Sequence, residues 1–265
     1  MGTTIVASIV CQIIDDELNH TILILQGEQG IGKTTWLNSI IPRQLKNYVY
    51  SGSINPNNKD TLIHMSECGW IMMDELTSMK GINNEKIKEL ITQGIIRQRR
   101  PYEQFSKNMI RRASFMGTTN NLQFLSDSTG NRRFLPFEVI EINYNHGINM
   151  DLVYAQAYHL YITGFQFWFD KNEVQQIQKH NTQFEKRSFE EDLVLQIFDK
   201  CESNDGEVYW NATMVMQYLH SRGLIPQSDR TKQHLGAILT KYFNRTKKDG
   251  LYVYALKFRI NNSDN

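Results

Sequence analysis

His20-Thr-Ile-Leu-Ile-Leu-Gln26 followed by Gly27-Glu-Gln-Gly-Ile-Gly-Lys33-Thr34 is the stretch on which the fold turns. Its first seven residues are a short apolar run with β-branched side chains and read as a buried strand. A glycine-rich turn follows, and Lys33 to Ile41 has helical character. The turn fits G-x-x-x-x-G-K-T in strand–turn–helix context, which is the setting a phosphate-binding P-loop requires. Glycines let backbone N–H groups curl around phosphate oxygens, and the helix N-terminus favours the anion. Gly27, Glu28, Gln29, Gly30, Ile31, Gly32, Lys33, Thr34 and Thr35 are therefore expected to hold ATP. Lys33 should reach the β- and γ-phosphates, and Thr34 should ligate Mg²⁺.

Downstream, Trp70-Ile-Met-Met-Asp74-Glu75 is a second apolar strand ending in two acids. Such a pair also begins many ordinary helices. After a P-loop, it places Asp74 as a metal ligand and Glu75 as the group that polarises the attacking water. Phe115-Met-Gly-Thr118-Thr119-Asn120 is a third strand with polar residues at its carboxyl end, where open α/β sheets bind ligands. Asn120 is the candidate for orienting water or touching the γ-phosphate, with Asn121 as its competitor. Gly130-Asn-Arg132-Arg133-Phe134 precedes a fourth strand, Phe134 to Ile140. Paired arginines in a turn are usually solvated; here Arg132 or Arg133 is expected to face a neighbouring subunit's nucleotide.

The remaining pattern is Tyr48 to Tyr50 as a short strand, Thr61 to Cys68 and Glu85 to Gln93 as helices, and strands at Ile95 to Arg99 and Met109 to Met116. Strands alternating with helices predict an α/β domain with a mostly parallel sheet over residues 1–187. Residues 188–265 read as helices Phe189 to Cys201, Ala212 to Arg222 and Asp229 to Phe243, capped at Asn211 and Ser228. A hairpin from Thr246 to Ile260 turns at Gly250. Three helices and a hairpin predict a small winged-helix-like domain.

Composition restricts the function classes. With 265 residues, 40% hydrophobic and 22% charged, the chain is globular, and no apolar run approaches a membrane span. Cys11, Cys68 and Cys201 have no ligand-like spacing, so reduced thiols in a cytoplasmic protein are expected. The aromatic group Phe165, Phe167, Trp168 and Phe169 is expected in the core. His64, His146, His159 and His180 lack metal spacing. The abrupt beginning suggests a segment of a longer protein.

Together, GEQGIGKTTWL (27–37), WIMMDEL (70–76), RRPY (99–102) and FMGTTNNLQFLSDSTGNRRFLPFEV (115–139) resemble the virulence-associated E family of phages and mobile elements. That family looks like the superfamily 3 helicases within the AAA+ ATPases. The resemblance spans roughly residues 20–200. It implies Lys33 and Thr34 as the first Walker motif, Asp74 and Glu75 as the second, Asn120 as sensor, and Arg132 or Arg133 as an arginine finger acting in trans within a hexamer. Family members often carry a primase or helical segment before the ATPase; none is visible in this sequence, so primase activity is not expected of it.

Two basic regions supply a nucleic-acid expectation. Residues 97–112 hold Arg97, Arg99, Arg100, Lys107, Arg111 and Arg112 against one acid, Glu103, with Tyr102 and Phe105 among them. Cations meet phosphates and rings stack on bases; a solvated hairpin, or arginines at a subunit interface, is the plainer reading. Residues 222–259 hold nine cations against Asp229 and Asp249. Lys247 and Lys248 would form the wing tip and Asp229 to Phe243 the recognition helix. The reading is an ATP-hydrolysing DNA helicase motor. An ATP-controlled DNA-binding switch and a small-molecule kinase are its rivals.

Overall fold

The computed structural model describes residues 2–15, 17–52, 54–55, 58–76, 84–99, 104–125, 130–201, 208–248 and 250–259. The chain divides into two compact units, Met1–Lys186 and Arg187–Asn265.

The first unit runs α1 (Gly2–Asp15), β1 (Ile22–Gln26), α2 (Lys33–Ser39), β2 (Val49–Ser51), α3 (Lys59–Glu67), β3 (Trp70–Met73), α4 (Asn84–Thr92), β4 (Ile95–Gln98), β5 (Lys107–Ile110), β6 (Ser114–Thr119), β7 (Phe134–Glu138), α5 (Met150–Ile162) and α6 (Lys171–Asn181). Five strands form a parallel sheet in the order β2-β3-β6-β1-β7. Every residue of β1, β3 and β6 is buried, as expected of parallel strands covered on both faces. Alternation along the strands feeds two cores. Ile22, Ile24, Ile71, Met73 and Phe115 pack with Met65 of α3 and Ile87 and Leu90 of α4. Leu23, Leu25, Met72 and Met116 pack with Ile5 and Ile9 of α1 and Leu37 of α2. The fold is mixed α/β with a parallel central sheet. Because the strands run parallel, the carboxyl ends of β1, β3 and β6 meet at one edge.

The single strand expected over Met109 to Met116 is two. β5 pairs only with β4, in an antiparallel two-stranded ribbon, whereas β6 enters the main sheet. The break is fixed by backbone donors: Arg111 N–H bonds Gly94 O, and the N–H groups of Arg112 and Ala113 both bond Met65 O. The Arg111 side chain completes the joint. It is fully buried, and its guanidinium donates to the carbonyls of Asn19, Ile91, Gln93 and Ala113. Burial pushes its pKa down to about 9. Arg111 thus leaves the basic surface to which the sequence assigned it. Truncation to Arg111→Met would strand several buried carbonyls, each unmade bond costing about 1–3 kcal/mol. We expect a loss of at least ~3 kcal/mol of stability by urea unfolding, with no rescue in Arg111→Lys, which lacks the fork of donors. A loss below about 1 kcal/mol would contradict this account of the joint.

The second unit comprises α7 (Phe189–Ile197), β8 (Phe198–Lys200), β9 (Val208–Trp210), α8 (Ala212–Ser221), α9 (Asp229–Tyr242), β10 (Arg245–Lys248) and β11 (Leu251–Phe258). The helix expected through Cys201 stops at Ile197. Phe198 is extended and buried among the rings of Trp210, Tyr218 and Phe258, so this cluster outweighs helix continuation. The terminal hairpin gains β8 and β9, both paired to β11. Asn211 and Ser228 cap α8 and α9 through bonds from the N–H groups of Met214 and Thr231, and Gly250 takes a φ of 78° after β10.

The aromatic group at 165–169 is core only in part. Phe169 packs against the second core, Phe165 and Phe167 are half-buried, and Trp168 is 58% exposed. Cys11 and Cys201 are buried and Cys68 is half-buried. Among the described residues no helix is long and apolar enough to cross a membrane.

Candidate phosphate-binding site

β1 ends between β6 and β7, and backbone bonds hold the start of the following loop. Gly27 N–H donates to Thr119 O at 3.2 Å, and Val139 N–H donates to Gln26 O at 2.7 Å. From there the loop Gly27–Gly32 leads into α2. Gly32 is its N-cap, with a φ of 92° that a side chain would adopt only under strain. A Cβ there would also fall 2.6 Å from the Tyr144 ring.

Five side chains named from the sequence converge here. Lys33 is buried, and its ammonium donates to Gly27 O (2.8 Å), Glu28 O (2.6 Å) and Asn120 Oδ1 (2.9 Å). Burial lowers its pKa, opposed by the carboxylates of Glu75 and Asp74. Thr34 Oγ1 donates to Asp74 Oδ1 at 2.9 Å. Glu75 sits at a φ of 50°, a left-handed conformation that costs a non-glycine residue about 1–3 kcal/mol when the surroundings impose it. Those surroundings are visible: its N–H bonds Thr118 Oγ1, and Oε1 lies 3.4 Å from Thr119 Oγ1 and from Asn120 N. Gly117 leaves room for the turn, since a Cβ there would meet Leu76 at 3.0 Å. Gln29, Gly30, Gly32, Thr35 and the converging side chains line a cleft of about 350 Å³.

The geometry separates Asn120 from Asn121. Asn120 turns its amide oxygen to Lys33, while Asn121 Oδ1 accepts from Gln123 N–H within its own turn. Thr118 had no role in the sequence reading; it donates to Asp74 Oδ1 at 2.6 Å and accepts from Glu75 N–H. Its place at the end of a buried strand was the available signal. The donor set suits Mg²⁺, which takes one or two carboxylates and fills its remaining positions with water and phosphate oxygens. Thr34 and Asp74 offer one hydroxyl and one carboxylate. Among the described residues no group of three His, Cys, Asp or Glu stands together as a self-sufficient cage.

Arg132 and Arg133 lie elsewhere. They occupy a 3₁₀ turn, Asn131–Arg133, before β7, whose Phe134 pairs with Ile22 at the start of β1. Four residue steps, roughly 13 Å, separate that end of the sheet from Gln26. Asn181 Nδ2 bonds Asn131 O (2.7 Å) and Phe134 O (2.9 Å), and Asn131 Nδ2 bonds Glu185. Arg132 is exposed; Arg133 folds towards Gly130, and burial together with Arg132 lowers its pKa.

The basic regions are partly redistributed. In the β4–β5 ribbon Arg97 and Arg99 are exposed, and Lys107 lies opposite Gln98 at the far end. Phe105 is 77% exposed. Arg100 and Tyr102 lie outside the described residues, as does Asp249. In the second unit Lys241 pairs with buried Glu191 at 3.1 Å, and Arg259 with Asp199 at 2.7 Å. Lys248 lies over the Tyr209 ring at 3.3 Å, and Lys247 lies 6.0 Å from that of Tyr252.

The virulence-associated protein E-like domain model matches residues 5–186. No curated protein matches the chain. Among solved structures, an A-form apo structure of the NrS-1 C-terminal region (305–718) aligns at 14% identity and a TM-score of 0.44, covering 89% of this chain and 58% of that one. An apo structure of the same region aligns at 11% identity and a TM-score of 0.47, covering 96% and 70%.

Proposed function

Since the chain belongs to the virulence-associated protein E-like domain family, we propose that it is an ATP-hydrolysing motor of AAA+ type, acting in replication of a phage or mobile element. One observation carries the reading: Lys33, Thr34, Asp74, Glu75 and Asn120 meet at the carboxyl edge of β1, β3 and β6, in one hydrogen-bonded group. On nucleotide binding, Lys33 exchanges Gly27 O and Glu28 O for phosphate oxygens, and the loop N–H groups cradle the phosphates. Thr34 and Asp74 would hold Mg²⁺, which would supply positive charge to the phosphate oxygens. Glu75 accepts the proton of the attacking water, and Asn120 orients that water.

Arg132 and Arg133 are too far along the sheet to serve their own subunit's phosphates, which favours a role in trans within a ring, a hexamer by resemblance. The β4–β5 ribbon faces DNA through Arg97, Arg99 and Lys107. The second unit is a winged-helix-like module whose Lys247 and Lys248 contact the DNA backbone.

ATPase rate against protein concentration, with and without single-stranded DNA, tests the whole. The rate per subunit should rise with both. A rate flat in both would remove the ring motor. The ribbon has its own test: Arg97→Ala, Arg99→Ala and Lys107→Ala together should weaken single-strand binding. The salt slope should fall by about 0.7 for each phosphate that is no longer neutralised. An unchanged slope would return these residues to a structural role.

A further inference from the structure

At the amino end of the sheet lies a second cavity, of about 340 Å³, which shares no lining residue with the phosphate cleft. Its walls include Ser8 of α1, His20 before β1, Arg132 and Arg133 before β7, and Phe167 and Trp168 after α5. Local bonds build the aromatic part. Ser8 Oγ donates to Phe167 O, Phe165 N–H to Leu160 O at 2.9 Å, and Gln166 Nε2 to Trp168 O at 2.9 Å. The Phe167 ring stands edge-on to both Tyr161 and Trp168, with centroids 5.6 and 4.9 Å away, and Trp168 keeps 58% of its surface exposed. The same cavity holds cations without counter-ions. Among the described residues, neither guanidinium nor the His20 ring has a hydrogen-bond or ion-pair partner. Asp170 and Glu173, the next acids along the chain from Trp168, are spent on each other's N–H groups in the capping box of α6. Burial and then Arg132 lower the pKa of Arg133; burial, then Arg111 and Arg133, lower that of His20, whose ring is therefore neutral at pH 7.

We propose that this cavity is a second ligand site, for a single nucleotide unit whose ring lies on Trp168 and whose phosphate meets Arg133 and His20. A half-buried guanidinium without a partner is costly to keep, and an anion removes that cost. Phosphate suits it, because a guanidinium fork bonds two of its oxygens at once, and the neutral His20 ring adds an N–H donor. The exposed indole decides the rest of the ligand. A peptide carboxylate would satisfy the arginines and leave that face idle, whereas a base stacks on it. The volume lies in the range of sites for small ring-bearing ligands. Arg132, the exposed member of the pair, stands at the rim, where it can still face a neighbouring copy. A free mononucleotide and one residue of a single strand both present this chemistry.

Calorimetric titration with thymidine 5′-monophosphate and with a 5′-phosphorylated oligothymidine tests it. The monophosphate should bind the unaltered protein and Lys33→Ala alike, since the phosphate cleft takes no part. Thymidine, which lacks the phosphate, and inorganic phosphate, which lacks the ring, should each bind at least tenfold more weakly. His20→Glu, which sets a carboxylate beside the arginines, should weaken the monophosphate at least tenfold, and Trp168→Ala severalfold; both positions are exposed, so folding tolerates the changes. An oligomer weakened by the same factors assigns the site to a strand, and an oligomer indifferent to both changes leaves the free nucleotide as its ligand. If neither ligand loses affinity in either variant, or if monophosphate binding vanishes in Lys33→Ala, the second site is overturned. ATP hydrolysis by the unaltered protein judges the phosphate cleft separately, and its absence would leave this site standing.

Discussion

Glu75→Gln should bind ATP with near-normal affinity and release phosphate at least ~100-fold more slowly than the unaltered protein. The amide keeps the volume of the carboxylate. Its oxygen can still accept from Thr119 Oγ1 and Asn120 N–H, each 3.4 Å from Oε1, so the left-handed turn at Glu75 is preserved. What it loses is the ability to take a proton from water. A positioned general base contributes about 10²–10⁴ in rate. Lys33→Ala should behave differently, because it removes the cation between the loop carbonyls and Asn120, and with it ATP binding. Equilibrium binding and single-turnover hydrolysis, measured on both variants, separate the two losses. Normal turnover in Glu75→Gln would transfer the base to another residue, and weakened ATP binding there would mean that Glu75 shapes the cleft instead.

What was legible in the sequence was what local pattern controls. The β1–loop–α2 unit and the acids after β3 are each specified by consecutive residues, and the apolar runs fixed which strands are buried. Asn211 and Ser228 were readable as caps for the same reason: a cap bonds two or three residues ahead. Long-range packing was opaque. Arg111 looked like another cation of a basic ribbon, and only the meeting of four carbonyls, those of Asn19, of Ile91 and Gln93 at the end of α4, and of nearby Ala113, makes its burial tolerable. Phe198 looked helical until the rings of Trp210, Tyr218 and Phe258 claimed it. Counting charges misled at Lys241, whose partner Glu191 lies fifty residues earlier. Within the candidate site the same division holds. Lys33, Thr34, Asp74 and Glu75 carry sequence signatures, whereas Thr118 meets Asp74 and Glu75 only through the folded sheet.

Mixing two inactive variants should restore activity if the ATPase is completed between subunits. Arg132 and Arg133 sit at the amino end of β7, and the phosphate cleft at the carboxyl ends of β1, β3 and β6. Asn181 clamps that 3₁₀ turn through Asn131 O and Phe134 O, roughly 13 Å of strand away from the cleft. A head-to-tail interface, by contrast, would set the arginine end of one copy against the cleft of the next, and such an interface closes into a ring when its rotation closes. An arginine supplied in trans stabilises charge on the transferred phosphoryl group and is worth about 10³–10⁵ in GTPase examples. Arg132→Ala should therefore lose activity by that order while still binding ATP; it is the exposed member of the pair, and Arg133 folds back towards Gly130. Lys33→Ala retains its arginines and loses its cleft. Mixed in equal amounts, the two variants form some interfaces at which an intact arginine faces an intact cleft. Up to about a quarter of the sites in a randomly mixed assembly should be complete, so ATPase activity should return to a readily measured fraction of the unaltered rate. Arg133→Ala run in parallel decides between the two arginines, because only the residue that reaches the nucleotide shows both the loss and the rescue. Light scattering on the same samples establishes that the copies have assembled. Assembly without any recovery, for either arginine variant, would place the pair outside the catalytic site and leave the completing charge to be found elsewhere.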